Sequence, residues 1–299
     1  MKHIVVILNP QAGGGRAAGR RVAMERWIAD HSAHALWEIQ QTAGPGHATE
    51  LAAQAMERGA DLIVAAGGDG TLSEVANGVV GGHVPVGLLP LGTGNDCARH
   101  FGIGADLLSG LHTLLHGKPH RVDLGRAGNR YFINIAGCGF DAAVARHVRQ
   151  GWRRLPGTLA YIGAVLHTLL TFTPTWMRLT LDETPRELRA LMCSVANASS
   201  YGGGMRIAPN ARMSDGLLDV CVIAEAGRIE FLRTFPRVFR GTHLDHPKVQ
   251  IHRAQRVYVQ SDPPVPVLID GDVCGHTPVE FHICPRAISI LIPPDRDAV

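Results

Sequence analysis

The apolar positions of this chain follow two regimes. Residues 4–8 form an unbroken apolar run stopped by Asn9-Pro10, and residues 61–66 and 84–89 repeat the pattern. Runs of this kind belong to strands covered on both faces. Residues 36–41 are a further strand candidate, and stretches with helical character lie between the runs: one after Gly13-Gly14-Gly15, one ending near Arg58, one over 71–80 and one near 106–116. Strand and helix alternating at short spacing predict right-handed crossovers and a parallel sheet with helices on both faces. From about residue 118 the pattern changes, with strand signals at 121–125, 131–136, 178–181, 188–196, 217–223 and 257–261 and little helix between them. Hairpin spacing of that kind predicts an antiparallel β-sandwich. The expected fold class is therefore α/β in two lobes, a parallel α/β lobe over residues 1–125 and a β-rich lobe over 126–285. A last strand over 287–292 either returns to the second sheet or braces the first lobe, so 286–299 is open to both assignments. Residues 158–173 read as the most hydrophobic helix, too short for a bilayer span of ~20 apolar residues and suited to a core or to the surface of a membrane.

Composition narrows the class. A chain of 299 residues is comfortable for two cores, and its net charge of +3 with His neutral gives no argument for a nucleic-acid partner. The 16 His are scattered without a zinc-ligand spacing, and the six Cys contain no Cys-x-x-Cys pair. Several Cys sit in apolar runs as buried reduced thiols do, and the first apolar run is too short for a signal peptide, so the expected setting is cytoplasmic.

The chemistry concentrates where apolar strands run into glycine. Residues 62–74 stop at Gly67-Gly68-Asp69-Gly70 and restart at Thr71 as a helix. Three glycines in four positions remove the Cβ atoms that would hold a polyanion away from backbone amides, and a helix start leaves such amides unpaired. A carboxylate beside phosphates is repelled unless a cation lies between, so Asp69 is expected to hold Mg²⁺; the plain alternative makes it a helix cap. Residues 86–96 repeat the design, from an apolar strand into Gly92-Thr93-Gly94-Asn95-Asp96. Neighbouring strand ends of a parallel sheet face one crevice, where such folds bind ligands.

With Asn9-Pro10-Gln11-Ala12-Gly13, Gly-Gly-Asp-Gly-Thr-Leu-Ser-Glu-Val at 67–75 and Leu-Pro-Leu-Gly-Thr-Gly-Asn-Asp at 89–96, the chain resembles the diacylglycerol kinase catalytic-domain family, which includes soluble bacterial lipid kinases and the sphingosine and ceramide kinases. The resemblance covers nearly the whole chain and implies an α/β lobe like that of phosphofructokinases and NAD kinases. It implies an ATP-dependent lipid kinase of phospholipid biosynthesis, working with Mg²⁺ on diacylglycerol or a related lipid at a membrane surface, with a homodimer compatible with it. Nucleotide contacts carry over to Asn9, Pro10, Gln11, Ala12, Gly13, Thr42, Gly67, Gly68, Asp69, Gly70, Thr71, Glu74, Gly92, Thr93 and Asn95. Where the family often has Ser and Lys in the first turn, this chain has Ala12 and Gly14 or Arg16, leaving Arg16 or Arg20 to meet the phosphates. Asp123 matches an acid of the family's metal and water network. The turn after Pro209-Asn210-Ala211 implies a structural Mg²⁺ held by the Arg212 carbonyl, the Asp215 carboxylate and the Leu217 carbonyl. The family's Asp-Gly-Glu, whose Glu is often assigned as proton acceptor, is Asp270-Gly271-Asp272 here, shorter by one methylene. Either Asp272 still serves or Asp270 does, and Asp-Gly is equally a hairpin turn. A kinase of a soluble acceptor such as NAD, or a nucleotide-binding protein without catalysis, are the other readings.

Overall fold

The computed structural model describes residues 1–31, 35–150 and 157–296, and for 16–18, 31, 149–150 and 157–162 the backbone alone. Two compact units share the chain: residues 1–124 with 213–215 and 285–299, and residues 125–212 with 216–284.

The first unit is built on the apolar runs. Its elements are β1 (Lys2–Leu8), α1 (Arg16–His31), β2 (Ala35–Gln41), α2 (His47–Glu57), β3 (Leu62–Gly67), α3 (Asp69–Val79), β4 (Pro85–Pro90), α4 (Asp96–His100) and α5 (Leu107–His116), then β5 (Lys118–Ala127), which leads into the second unit. β2, β1, β3 and β4 pair in parallel in that order. The last strand, β15 (Val279–Ile292), pairs in parallel with β4 through Ser289 and Ile290. Alternate residues explain the burial of both faces: Ile4, Val6, Leu8, Leu62, Val64 and Ala66 pack with Met24 and Ile28 of α1 and Leu111 of α5. Val5, Ile7, Ile63 and Ala65, equally buried, take the opposite pleat, and α2 and α3 pack on each other and on the strands. The helix after the glycine turn begins at Asp69, two residues before the sequence places it, because Asp69 and Gly70 already take helical geometry.

The second unit holds β6 (Arg130–Phe132), β7 (Ile135–Gly139), α6 (Phe140–Gln150), α7 (Gly157–Thr171), β8 (Thr175–Leu181), β9 (Thr184–Ala196), β10 (Leu218–Ala224), α8 (Arg228–Thr234), β11 (Val249–Ala254), β12 (Arg256–Asp262), β13 (Pro266–Ile269) and β14 (Asp272–His276). The thirteen-residue β9 joins two antiparallel layers. Its first half pairs β8, which continues to β12 and the start of β15; its second half lies between β7 and β10. The core fills the space between the layers, with Cys138, Cys193, Val220 and Val267 from one and Met177, Leu179, Val257 and Phe281 from the other. A second cluster covers the outer face of the β7–β9–β10 layer: Phe140, Val144, Ala164, Val165, Leu169 and Phe231 pack on Met192 and Cys221. Burial pushes the Cys193 thiol up and that of Cys221 to about 12, which keeps both protonated and inert.

The expectation of little helix in this unit is corrected by α6 and α8. Their apolar residues read as isolated strand or loop signals until the sheet face they cover is known. The closing strand runs through both units, and the first unit includes 213–215 and 285–299, of which 286–299 was open to either lobe in the sequence. Among the described residues no helix is long and apolar enough to cross a membrane.

Candidate active site

In the first unit the two glycine turns and the loop after β1 meet at the carboxyl ends of the strands. The amide of Leu91 donates to the Gly67 carbonyl at 2.8 Å, and a Cβ on Gly92 would stand 2.5 Å from the Gly68 Cα, so the turns lie backbone to backbone. The Asn9 side-chain amide donates to the Thr71 hydroxyl at 3.1 Å while its carbonyl oxygen accepts from the Gln11 amide at 3.0 Å, which ties the first loop to the start of α3. The backbone of that loop closes with Ala12 N donating to Asn9 O at 3.2 Å, and Ala12 itself is buried. Gly13 follows at φ 63°. The Thr42 amide donates to the Leu8 carbonyl at 2.9 Å, so Thr42 flanks the same strand ends. The cap position of α3, Gly68, makes no side-chain cap hydrogen bond, and a Cβ at Gly70 would meet nothing within 4 Å. A helix start whose cap position and second residue are glycine leaves backbone amides accessible to a phosphate group. Thr93 is exposed, while Asn95 is buried at φ 51° with its Oδ1 unpartnered among the described residues. Pro10 is half-buried and Gln11 exposed beside them. For Arg16 only the backbone, the first residue of α1, is described.

The acids of this unit have partners that the sequence did not suggest. Asp69 accepts the Asp96 amide at 3.1 Å and the Cys97 amide at 2.9 Å, so its carboxylate caps α4 and staples the first turn to the second. Burial pushes its pKa above the ordinary carboxylate range, with the Cys97 amide opposing and the nearby Asp96 charge adding to the rise. Glu74 accepts the Gly46 and Ala48 amides at 2.9 and 3.1 Å. Its carboxylate therefore caps α2 and ties that helix to α3, while Glu74 itself is half-buried. Asp123, 1 % exposed, accepts the Arg286 amide at 2.7 Å, and its own amide donates to the Met213 carbonyl at 2.7 Å. It thus anchors the returning segments of the chain.

In the second unit Asp270 and Gly271, at φ 45° and 89°, are the two central residues of the β13–β14 hairpin. Positive φ at both is the geometry of a tight hairpin turn, which Asp-Gly favours. The Asp270 carboxylate accepts three amides, Ile133 at 2.8, Asn134 at 2.9 and Ile135 at 3.1 Å. Its oxygens are committed to backbone, which corrects the expectation that it serves as well as its neighbour for taking a proton. Asp272, on β14, is 41 % exposed at its side chain and forms an ion pair with Arg130. Asp215 and Arg212 are exposed and Gly216 sits at φ 73°; among the described residues no group of three His, Cys, Asp or Glu forms a metal site.

The feature that sequence reasoning missed is a cavity of ≈ 50 Å³ in the second unit, walled by apolar side chains of α6, α8 and β9 such as Phe140, Val144, Met192 and Phe231. Two buried acceptors line it. Asp141 accepts the Ala142 amide at 2.8 Å, and burial raises it to about 6. His243 is fully buried; its Nε2 lies 3.1 Å from the Ile207 carbonyl and must donate to it, which leaves Nδ1 as an acceptor without partner among the described residues. Burial holds His243 below the ordinary histidine range, so it stays neutral. Each of these residues falls at an unremarked position in the sequence.

A parallel α/β unit with glycine turns at the carboxyl ends of its strands is thus followed by an antiparallel sandwich. The sequence model described as "Diacylglycerol kinase catalytic domain" matches residues 3–127, and that described as "YegS C-terminal NAD kinase beta sandwich-like domain" matches 134–292. The diacylglycerol kinase of Mycobacterium tuberculosis is 33 % identical over 97 % of this chain and 95 % of its own length. That of Bacillus subtilis is 30 % identical over 99 % and 98 %. A crystal structure of a diacylglycerol kinase from Bacillus anthracis superposes with a TM-score of 0.75 at 20 % identity, covering 98 % of this chain and 97 % of that one, and so shares its fold. The chain belongs to the diacylglycerol kinase catalytic-domain family, and with it to the phosphotransferases of the kinase type.

Proposed function

We propose that this chain is an ATP-dependent lipid kinase that phosphorylates a hydroxyl of diacylglycerol or a related lipid. The observation that carries the lipid acceptor is the cavity of the second unit, whose wall is mainly apolar and suits acyl chains. Its enclosed volume, ≈ 50 Å³, holds only a few methylenes, so entry of a chain relies on rearrangement of flexible wall residues such as Met192 and Met205. Asp141 and the His243 Nδ1 supply acceptors for a donor group of the lipid.

The nest formed by Asn9 to Gly13, Gly67 to Thr71 and Gly92 to Asn95 binds the phosphates through backbone amides, with Thr42 beside it. These amides stabilise the charge that gathers on the transferred group. The lipid oxygen bonds to the γ-phosphorus, the bond from that phosphorus to the β–γ bridging oxygen breaks, and ADP leaves with the electron pair. Asp272 accepts the hydroxyl proton, since Asp270 is held by three amides. Mg²⁺ bound with the nucleotide would supply neutralising charge, and Asp69 and Asp123 are the acids of the first unit that would hold it. The protein is read as cytoplasmic, meeting its lipid at a membrane surface.

A second reading rests on the Arg130–Asp272 ion pair. A carboxylate neutralised by arginine is a weaker base, and a pair that persists with substrates bound would leave a nucleotide-binding protein without transfer. Incubation with γ-labelled ATP and diacylglycerol, phosphatidylglycerol, sphingosine, ceramide or NAD separates the readings. Label on one lipid class is the expected result; label on NAD alone, or binding of ATP with no labelled product, refutes it.

A further inference from the structure

The segment from Arg228 to Arg240 is apolar on two sides. Inward, Phe231, Phe235 and Val238 line the cavity. Outward, Ile229 is 68 % exposed, Leu232 44 % and Phe239 48 %, and Pro236 is exposed between them. Ile229 and Leu232 lie on α8 and Pro236 and Phe239 on the 3-10 helix Phe235–Arg240 that follows it, each pair three residues apart. Large apolar side chains in such a row are ordinarily covered by something. The charged residues among them are mostly of one sign. Arg228, Arg233 and Arg240 are exposed, and neither Arg233 nor Arg240 pairs with a carboxylate among the described residues. The acid of the segment, Glu230, is engaged by Lys248 at 2.7 Å and His246 at 3.3 Å, and Arg237 reaches Asp245 at 3.3 Å. The surface continues onto α7: Arg228 donates to the Leu170 carbonyl at 2.8 Å, and Leu166 and Leu170 of that helix are 45 % and 63 % exposed.

We infer that this outer face, Ile229, Leu232 and Phe239 with Arg228, Arg233 and Arg240, docks the second unit onto the surface of an anionic phospholipid bilayer. The apolar row enters the boundary between headgroups and acyl chains, and the guanidinium groups stay at the level of the lipid phosphates while their aliphatic stems lie along the apolar row. Because the same segment is one wall of the cavity, docking brings lipid tails to the side chains that line it. A second copy of this chain fits the face poorly, since self-pairing would set arginine against arginine with no free acid between them. The inference deepens the lipid-kinase reading by naming where the membrane lies, and its primary readout, vesicle binding, requires neither nucleotide nor turnover.

The test is flotation of the whole protein with phosphatidylcholine vesicles, with and without phosphatidylglycerol. Binding is expected to need the anionic lipid and to weaken with salt. Arg233→Gln and Arg240→Gln should each lower the partition coefficient roughly fivefold, the effect of one interfacial arginine, whereas Arg233→Lys and Arg240→Lys keep it. Ile229→Ser with Phe239→Ser should lower binding at any salt concentration. Unchanged far-ultraviolet dichroism and thermal unfolding exclude a folding defect, and phosphorylation of a short-chain diacylglycerol dispersed as monomers should be retained by the variants. If vesicle binding is the same in the variants and the wild type, or is absent in both while monomeric lipid is phosphorylated, the docking surface is wrong and the kinase reading stands. If the substitutions instead disperse a dimer without altering vesicle binding, the face belongs to a second copy.

Discussion

Asp69 accepts the backbone amide of Cys97 at 2.9 Å, across twenty-seven intervening residues and from one glycine turn to the next. With the Asp96 amide on its other oxygen, it holds the start of α4 against the start of α3. Asp69→Ala is therefore expected to abolish phosphoryl transfer and also to destabilise the first unit by ~2 kcal/mol, because two buried amides lose a charged acceptor. Denaturant unfolding of the variant checks the second part. An unaltered midpoint would show that the staple contributes nothing.

Two glycines separate shape from stability. Gly92→Ala puts a Cβ 2.5 Å from the Gly68 Cα and 2.7 Å from the Asn95 Oδ1, neither of which can retreat without moving the turn. It should lower stability by ~2 kcal/mol and weaken nucleotide binding together. Gly70→Ala meets nothing within 4 Å and sits in a helix, so it should fold as well as the wild type or better. Its methyl group stands on the open side of the nest. Calorimetric titration with ATP is expected to show loss of affinity with no loss of melting temperature.

The acids of the last hairpin should part company in the same way. Asp270→Asn turns an NH₂ group toward the amides of Ile133, Asn134 and Ile135, and should destabilise the second unit by ~2 kcal/mol or more. Asp272→Asn disturbs one half-exposed ion pair, for which ~1 kcal/mol or less is expected. Its kcat should nonetheless fall by ~10²–10⁴ if it takes the proton. Steady-state kinetics beside urea unfolding of both variants decides the assignment.

Asp141 makes stability depend on pH. Burial raises it from 3.8 to about 6, so the folded protein holds a proton there that the unfolded chain releases near 3.8. The stabilisation is complete below pH 3.8 and disappears as pH rises through about 6, a loss of ~3 kcal/mol for roughly two units. Asp141→Asn keeps the shape without the titration, so its stability relative to wild type should increase across that window and level off above it. His100, lowered to about 4 by burial and by Arg296, changes in the opposite sense as pH rises, which is why the difference between variant and wild type is the quantity to measure.

The glycine nest was legible because its requirements are local. A strand, absent Cβ atoms and a helix start within ten residues leave few alternatives, and the structure brings Asn9, Gly67 to Thr71 and Gly92 together as that pattern implies. The partners of the acids were not legible. Asp69, Glu74 and Asp270 each cap a segment distant in sequence, and nothing near them in the chain tells an amide from a cation. The cavity was hidden for a similar reason: Phe140, Met192, Phe231 and His243 come from four separate segments, and their apolar character alone reads as ordinary core. Residues 158–173 drew attention as the greasiest stretch, yet Ala164, Val165 and Leu169 are packed inward and only Leu166 and Leu170 among the apolar residues described there are strongly exposed.

β15 starts among the strands of the sandwich and finishes beside β4, where Ile290 faces Val86. β4 thus lacks its neighbour on that side until a segment far along the chain arrives. A ribosome-bound fragment ending after β4 exposes an unpaired strand of hydrophobic residues, an invitation to chaperones or to aggregation. The sheet of the first unit is therefore closed by a segment distant in the chain, and its completion waits on a long-range pairing of the kind that slows folding.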